Sequence, residues 1–305
     1  MLFRSEGLLN DKRFVSNAHL HHKNLHLRAA LSPTLSLSIG LEHYVIWGGK
    51  SPIYGQLPEW SQYFRYVAGL SGGEGATLND QMNGAGNQLG SYNLELKKDW
   101  QTIKATFYWN HPYEDRSGRE FANMPDGLWG IHLAKTNRAA LITDVVYEYM
   151  NTCNQSGSIL PHPAPTLENP NRISGRGGDN YFNHLIYSSG YTYYQRMMGT
   201  PIFIPVIGAD GISKGFNDTS FWMHHLGIGG TLGSGFYWES LTTWSRNYGG
   251  YGEFNFIPRD EFSFFAEGSY NGTKLPFIVK AGLAGDYGDL FEQRTGGYLG
   301  IEFNF

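Results

Sequence analysis

Chemistry in this chain would have to come from a few clusters. "HLHHKNLH" supplies His19, His21, His22 and His26, a set that invites a metal ion. On a strand, His22 and His26 share a face but lie about 13 Å apart, too far for one ion. His224 and His225 point to opposite faces of a strand, and no second cysteine joins Cys153. A metal centre is therefore not expected, nor is a cofactor. Asp218, Ser220 and His224 lie close in sequence, which is weak ground for a hydrolytic site because such groups converge in space. The glycine-rich "SGGEG" and "GAGNQLG" do not sit between a strand and a helix, so they read as turns and not as phosphate cradles. No G-x-S-x-G, H-E-x-x-H or P-loop pattern occurs. No catalytic residue is assigned.

Aromatic side chains mixed with Arg, amides and carboxylates form the other cluster. They suit sugars, whose apolar ring faces stack while their hydroxyls need hydrogen bonds. Tyr54, Trp60, Tyr63, Arg65, Tyr181, Tyr191, Tyr194, Arg196 and Tyr248 are the candidates, all in long connections. Large loops also use Tyr and Trp simply to fold upon themselves.

The elements that must position these residues are strands. Of the 305 residues 15 % are aromatic, 40 are glycine and only 16 % are charged. Soluble domains average about 25 % charged. Mean hydropathy is −0.37, and there is no stretch of about 20 apolar residues to make a membrane helix. The net charge of −4 comes without a basic run, which excludes nucleic acid as an expected partner. The first residues, "MLFRSEGLLNDKRFVSN", lack the apolar core of a signal peptide.

Two-residue alternation recurs eleven times. "NLHLRAAL" puts Leu25, Leu27 and Leu31 on one face; "TLSLSIGLEHYVI" opposes Leu35, Leu37, Ile39 and Leu41 to Ser36, Ser38 and Glu42. The closing "YLGIEFNF" sets Leu299, Ile301, Phe303 and Phe305 against Tyr298, Glu302 and Asn304. Connections alternate short and long. The short ones fall at 32–33, 98–100, 136–138, 233–235 and 271–274, and the long ones at 47–89, 111–125, 151–217, 248–259 and 285–296. Sorting loops by length onto one end is the habit of outer-membrane barrels. Trp47, Trp100, Trp109, Tyr147, Tyr149, Trp244 and Tyr287 fall near strand ends, as interfacial girdles do. The expected fold is all-β, a transmembrane antiparallel β-barrel forming one domain over 1–305. Charged residues such as Glu42, Lys97, Asp144, Glu148, Glu239, Glu267 and Lys280 would line its lumen. Single-chain bacterial barrels have even strand numbers. A twelfth strand is therefore expected, in part from "DKRFVSNAHLHH" or from residues upstream of Met1. "PEWSQYFRYV" is expected to make a short helix.

"HHKNLHLRAALSPTLSLSIGLEHYVIWGG" and the terminal Phe strand resemble the Wzi-type capsule assembly family in its Bacteroidota form. That resemblance implies the C-terminal part of an outer-membrane barrel of about eighteen strands in a Gram-negative cell. It implies a non-catalytic lectin that binds capsular or exopolysaccharide. Outer-membrane lipid and, through Phe305, the barrel-insertion machinery are the other implied partners. A passive porin or saccharide transporter, or a barrel hydrolase, are the alternatives.

Overall fold

The computed structural model describes residues 2–77, 80–81, 84–114, 116–155, 180–250, 257–272 and 276–303, and the side chains of all of these but 2–4, 116 and 117. Phe305, Tyr251 and Phe254 lie outside the described residues, as does the middle of the longest connection. The chain is almost all-β, built on one twelve-stranded sheet: β1 (Leu2–Leu9), β2 (Ala18–Ser32), β3 (Leu35–Trp47), β4 (Asn87–Asp99), β5 (Ile103–Tyr113), β6 (Gly127–Lys135), β7 (Asp144–Asn151), β8 (Phe221–Leu232), β9 (Phe236–Asn247), β10 (Arg259–Tyr270), β11 (Phe277–Gly288) and β12 (Arg294–Phe303). Each strand pairs antiparallel with its neighbours in chain order. Among the described residues no pairing joins β1 to β12. No described helix is long and apolar enough to cross a membrane.

Eleven of these strands are the alternating segments of the sequence. The twelfth is Leu2–Leu9, not "DKRFVSNAHLHH", whose last residues begin β2. Its segment "LFRSEGLL" does not alternate, so periodicity alone could not find it. Two boundaries move. The turn after β6 runs from 136 to 143, since regular pairing resumes only at Asp144. It presses so close to β8 that the Leu141 carbonyl oxygen would lie 1.8 Å from any Cβ at position 230, which Gly230 lacks. The last long connection shrinks to 289–293, because the β11–β12 ladder persists to Asp286 and Arg294.

Register sorts the two faces. Cross-strand partners share a face, and pairing links Leu27, Ile39, Leu94, Trp109, Trp129, Tyr149, His224, Trp244, Phe262 and Tyr287 into one row across β2 to β11. A parallel row joins Leu96, Phe107, Ile131, Tyr147 and Leu226. These side chains point away from the protein and are exposed or half-buried, while Leu299 (77 % accessible), Ile301 and Phe303 on β12 are exposed. The opposite, inner face carries Glu42, Asn93, Glu95, Asn110, Glu148, Glu267 and Tyr298. On it Tyr298 donates to Glu267 and Lys280 pairs with Glu302 at 2.5 Å.

Among the described residues, packed apolar clusters sit near the long-loop end, on both faces. Inside, Leu9, Ala18, Ile46, Ile186, Tyr187 and Tyr191 form one cluster, and Met150, Phe203, Phe216, Phe221 and Met223 another; Phe182 packs against both. One loop thus touches β1–β4 and β6–β8 at once, so the sheet curves around it. Outside, Val45, Trp47, Tyr63, Tyr66 and Ala85 make a third cluster beneath the 48–86 connection.

Candidate functional site

Residues 180–216 fill the inner face as a plug. A hairpin pairs Thr192–Tyr193 with Arg196–Met197. Its two central residues, Tyr194 and Gln195, have φ of 47° and 63°, the left-handed geometry of a tight two-residue turn. The Tyr191 hydroxyl donates to the Asn87 carbonyl at 2.7 Å and that of Tyr187 to the Gly48 carbonyl at 3.3 Å, tying plug to wall. From the β1–β2 connection, buried Arg13 pairs with Asp11 at 3.1 Å and donates to the Thr192 and Gly190 carbonyls at 3.2 and 3.3 Å. Desolvation lowers the Arg13 pKa against the pull of Asp11.

Asp126, at the turn into β6, anchors the start of the same long connection. It accepts from the Asn154 amide N–H at 3.0 Å, the Gln155 N–H at 2.7 Å and the Tyr181 hydroxyl at 3.0 Å. Burial pushes its pKa up; those donors pull it back without cancelling the shift. His184 uses Nδ1 to accept from the Ile186 and Tyr187 amides, each at 3.2 Å, and desolvation lowers its pKa to about 4. A neutral imidazole is what that turn requires.

Next to the plug, the inner wall of β2–β5 is hollow. A cavity of 380 Å³ lies between Phe182, Tyr191, Met197 and Thr200 of the plug and Glu42, Tyr44, Asn93 and Asn110 of the wall. A larger hollow of 610 Å³ adjoins it along His26, Arg28, Ser38, Glu95 and Tyr108. Both are lined by Glu42, Asn93 and Asn110. Glu42 is the hub: His22 Nε2 stands 2.7 Å and His26 Nε2 3.0 Å from its two carboxylate oxygens, and the Tyr44 hydroxyl donates at 2.9 Å. The His22 ring stacks on Tyr44 with centroids 4.1 Å apart. Asn110 donates to Asn93 at 2.5 Å, and Tyr108 donates to Glu148. Gly40 makes room: a Cβ there would lie 2.6 Å from the His26 ring. Carboxylates, amides, imidazoles and aromatic rings facing one hollow can take hydroxyl-rich ligands, donating and accepting in turn. No group of three or more metal-ligating side chains with suitable spacing occurs among the described residues.

The nine sequence-derived candidates are divided among three places. Tyr54, Trp60, Tyr63 and Arg65 belong to the outer connection. There Trp60–Gln62 forms a 3-10 turn leading into α1 (Tyr63–Ala68), the expected helix. Tyr181 and Tyr191 are buried within the plug, with 1 % and 2 % accessibility. Tyr194 and Arg196 lie exposed on the plug hairpin. Tyr248 is half-buried at the end of β9 and accepts from Trp222 at 2.9 Å. The hydrolase triplet is dispersed: Asp218 pairs with Arg259, the His224 ring bonds the Tyr147 hydroxyl at 2.7 Å on the outer face, and Ser220 is buried beside Cys153. The polar wall around Glu42 was legible as a lumenal charge row but not as a site. Its asparagines and histidines become neighbours only once the register is known.

A curved antiparallel sheet with an apolar outer face and a plugged polar inner face defines a barrel-wall protein. Residues 7–207 match the family described as capsule assembly protein Wzi, more than half of the chain, and the protein belongs to that family. Membership supports a part in capsule assembly and an outer-membrane location. No curated protein matches by sequence. Among solved structures it is similar to OmpT, an outer membrane protein of Vibrio cholerae, in vitro folded, at 11 % identity and a TM-score of 0.38 over 100 % of this chain and 80 % of that one. The trimer form gives 10 % and 0.36 over 100 % and 82 %. Neither likeness is close enough to bear on function.

Proposed function

We propose that this protein is a non-catalytic outer-membrane component of capsule assembly that holds capsular or exopolysaccharide against its inner wall. The observation that carries the reading is the pair of adjoining hollows sharing Glu42, Asn93 and Asn110 under the plug. A saccharide there would exchange hydrogen bonds with the amides and the Glu42 carboxylate and lay a ring face on Tyr44 or Tyr108. Each hydrogen bond to a charged group contributes about 1.5–3 kcal/mol. The exposed Tyr194 and Arg196 stand on the plug hairpin as further contacts, while Tyr181 and Tyr191 hold the plug in shape.

The exposed apolar rows support lipid as the surrounding medium. A soluble protein seldom leaves a contiguous apolar patch beyond a few hundred Å² in water, and burying each large apolar side chain is worth about 1.5–3 kcal/mol. The plug argues against a passive porin. Glycan-array binding by the purified full chain, together with planar-bilayer conductance, tests this reading. Binding to a surface polysaccharide without steady conductance is the expected result; a large steady conductance with no glycan bound would contradict it.

A further inference from the structure

The 48–86 connection gives Leu57 to the inner cluster, and from Trp60 to Ala68 it folds back over the outer face. Tyr63 and Tyr66 of α1 pack on Trp47, with centroids 5.2 and 5.4 Å away. The Tyr63 hydroxyl donates to Glu6 at 2.5 Å, and that of Tyr66 to the Pro58 carbonyl at 2.7 Å. At the other end of α1, Lys23 donates to the Val67 carbonyl. The helix therefore descends the outer face from the level of Trp47 and Glu6 to that of Lys23. The next outward positions on those strands are Leu25 and Leu41, where the apolar rows begin.

The far side of this segment is apolar too. Phe64 and Ala68 share one face of α1 at four-residue spacing, and ahead of them Trp60 meets Trp47 edge-on, centroids 5.1 Å apart, with the rest of its ring turned outward. Trp60 is 63 % and Phe64 83 % accessible, and Leu70 and Ile53 of the same connection are exposed too. Both faces of α1 are thus apolar, one covered by the wall and one, among the described residues, left open. Arg65 is its single charge.

We propose that this stripe is a foot on the membrane: Trp60, Phe64 and Leu70 enter the interfacial region of the outer leaflet beside the wall. The occupant is lipid because the stripe runs down into the lipid-facing rows. Tryptophan also favours the headgroup level, and apolar helix faces bind that boundary. The foot explains why a loop rich in sugar-stacking residue types presents them sideways, outside the wall. The inference rests on the outer face meeting lipid, and its test includes a control for that.

The full chain with Cys153→Ser would be reconstituted in phosphatidylcholine vesicles, with one environment-sensitive fluorophore on Phe64→Cys, Leu70→Cys, Leu299→Cys or Tyr194→Cys. Phe64 and Leu70 are exposed, so each substitution removes little packing, at position 64 an edge contact with Tyr63. Blue-shifted emission quenched by shallow nitroxide-labelled lipid is expected at 64 and 70. Quenching is expected at 299, and water-like, unquenched emission at 194. Quenching at 299 but not at 64 or 70 would overturn the foot alone. Quenching at none of these would overturn the foot together with the lipid reading of the outer face. A response at 64 to added polysaccharide, with none to lipid quencher, would overturn the foot in favour of a glycan platform.

Discussion

Two aromatic-rich connections leave the same end of the sheet and take opposite faces. The 48–86 connection packs Tyr63 and Tyr66 outside, on Val45 and Trp47. The 152–220 connection packs Ile186, Tyr187 and Tyr191 inside, on Ala18 and Ile46. Composition does not separate them. Strand parity does: Ile46 and Trp47 are adjacent, both buried, and point to opposite sides. At the rim of β3 both faces are apolar, so both attract a cover. Farther down β3, Glu42 makes the inner face polar while Leu41 keeps the outer face apolar. Which loop covers which side is settled by the polar ties each can make. Tyr63 finds Glu6 outside; Tyr191 finds the Asn87 carbonyl inside.

The strongest break in this comparison is Tyr191→Ala. It removes a buried ring and the hydroxyl that satisfies Asn87, and should destabilise the plug by about 3–5 kcal/mol. Limited proteolysis read by mass spectrometry should show faster cleavage within 180–216 and an unchanged rate within 60–70, whose cluster on Val45 and Trp47 is separate. Equal acceleration in both loops would mean that they do not fold as separate covers.

Acid sharpens the same contrast. A histidine in the unfolded chain takes up its proton near pH 6.5, whereas His184 resists protonation down to about 4. Its contribution to plug stability is therefore fully present above 6.5 and is lost as pH falls from there toward 4. Hydrogen exchange at the Ile186 and Tyr187 amides should quicken over that window. His184→Asn should flatten the dependence.

A smaller effect belongs to the outer loop. Tyr63→Phe keeps the ring on Trp47 and loses the hydroxyl's bond to Glu6. Because that acceptor is charged, about 1.5 kcal/mol should go, seen as faster exchange in Tyr63–Ala68 alone. Smaller still is Arg246→Ala, which breaks the exposed pair with Asp260 at 2.8 Å. The thermal midpoint should barely move, since such pairs contribute about 0–1 kcal/mol.

The wall was readable from sequence because strand alternation is local. Leu25 to Leu31 and Leu35 to Leu41 declare their face without reference to anything else. β1 was not readable, since "LFRSEGLL" gains its place only by pairing with β2. The helix at Tyr63–Ala68 was foreseen, but not the side of the wall on which it lands. Aromatic types named Tyr181 and Tyr191 as sugar contacts, yet burial turns their hydroxyls to Asp126 and Asn87. Conversely, His22 drew notice only as a metal-ligand type, and Asn93 and Asn110 gave no local signal. They gather at Glu42 because Asn24 pairs with Glu42 and Gly40 pairs with both His26 and Asn93, a matter of register between strands far apart in sequence.

The central claim is that glycan is held inside while the outer aromatics serve the membrane. Affinity for capsular polysaccharide fragments, measured by isothermal titration on Glu42→Gln, Asn93→Ala and Trp60→Ala in the full chain, tests it most directly. The inner variants should each lose about 10-fold or more, the equivalent of one hydrogen bond to a charged or buried group, and Trp60→Ala should bind as the parent does. Loss of binding in Trp60→Ala, with Glu42→Gln and Asn93→Ala unaffected, would contradict the account.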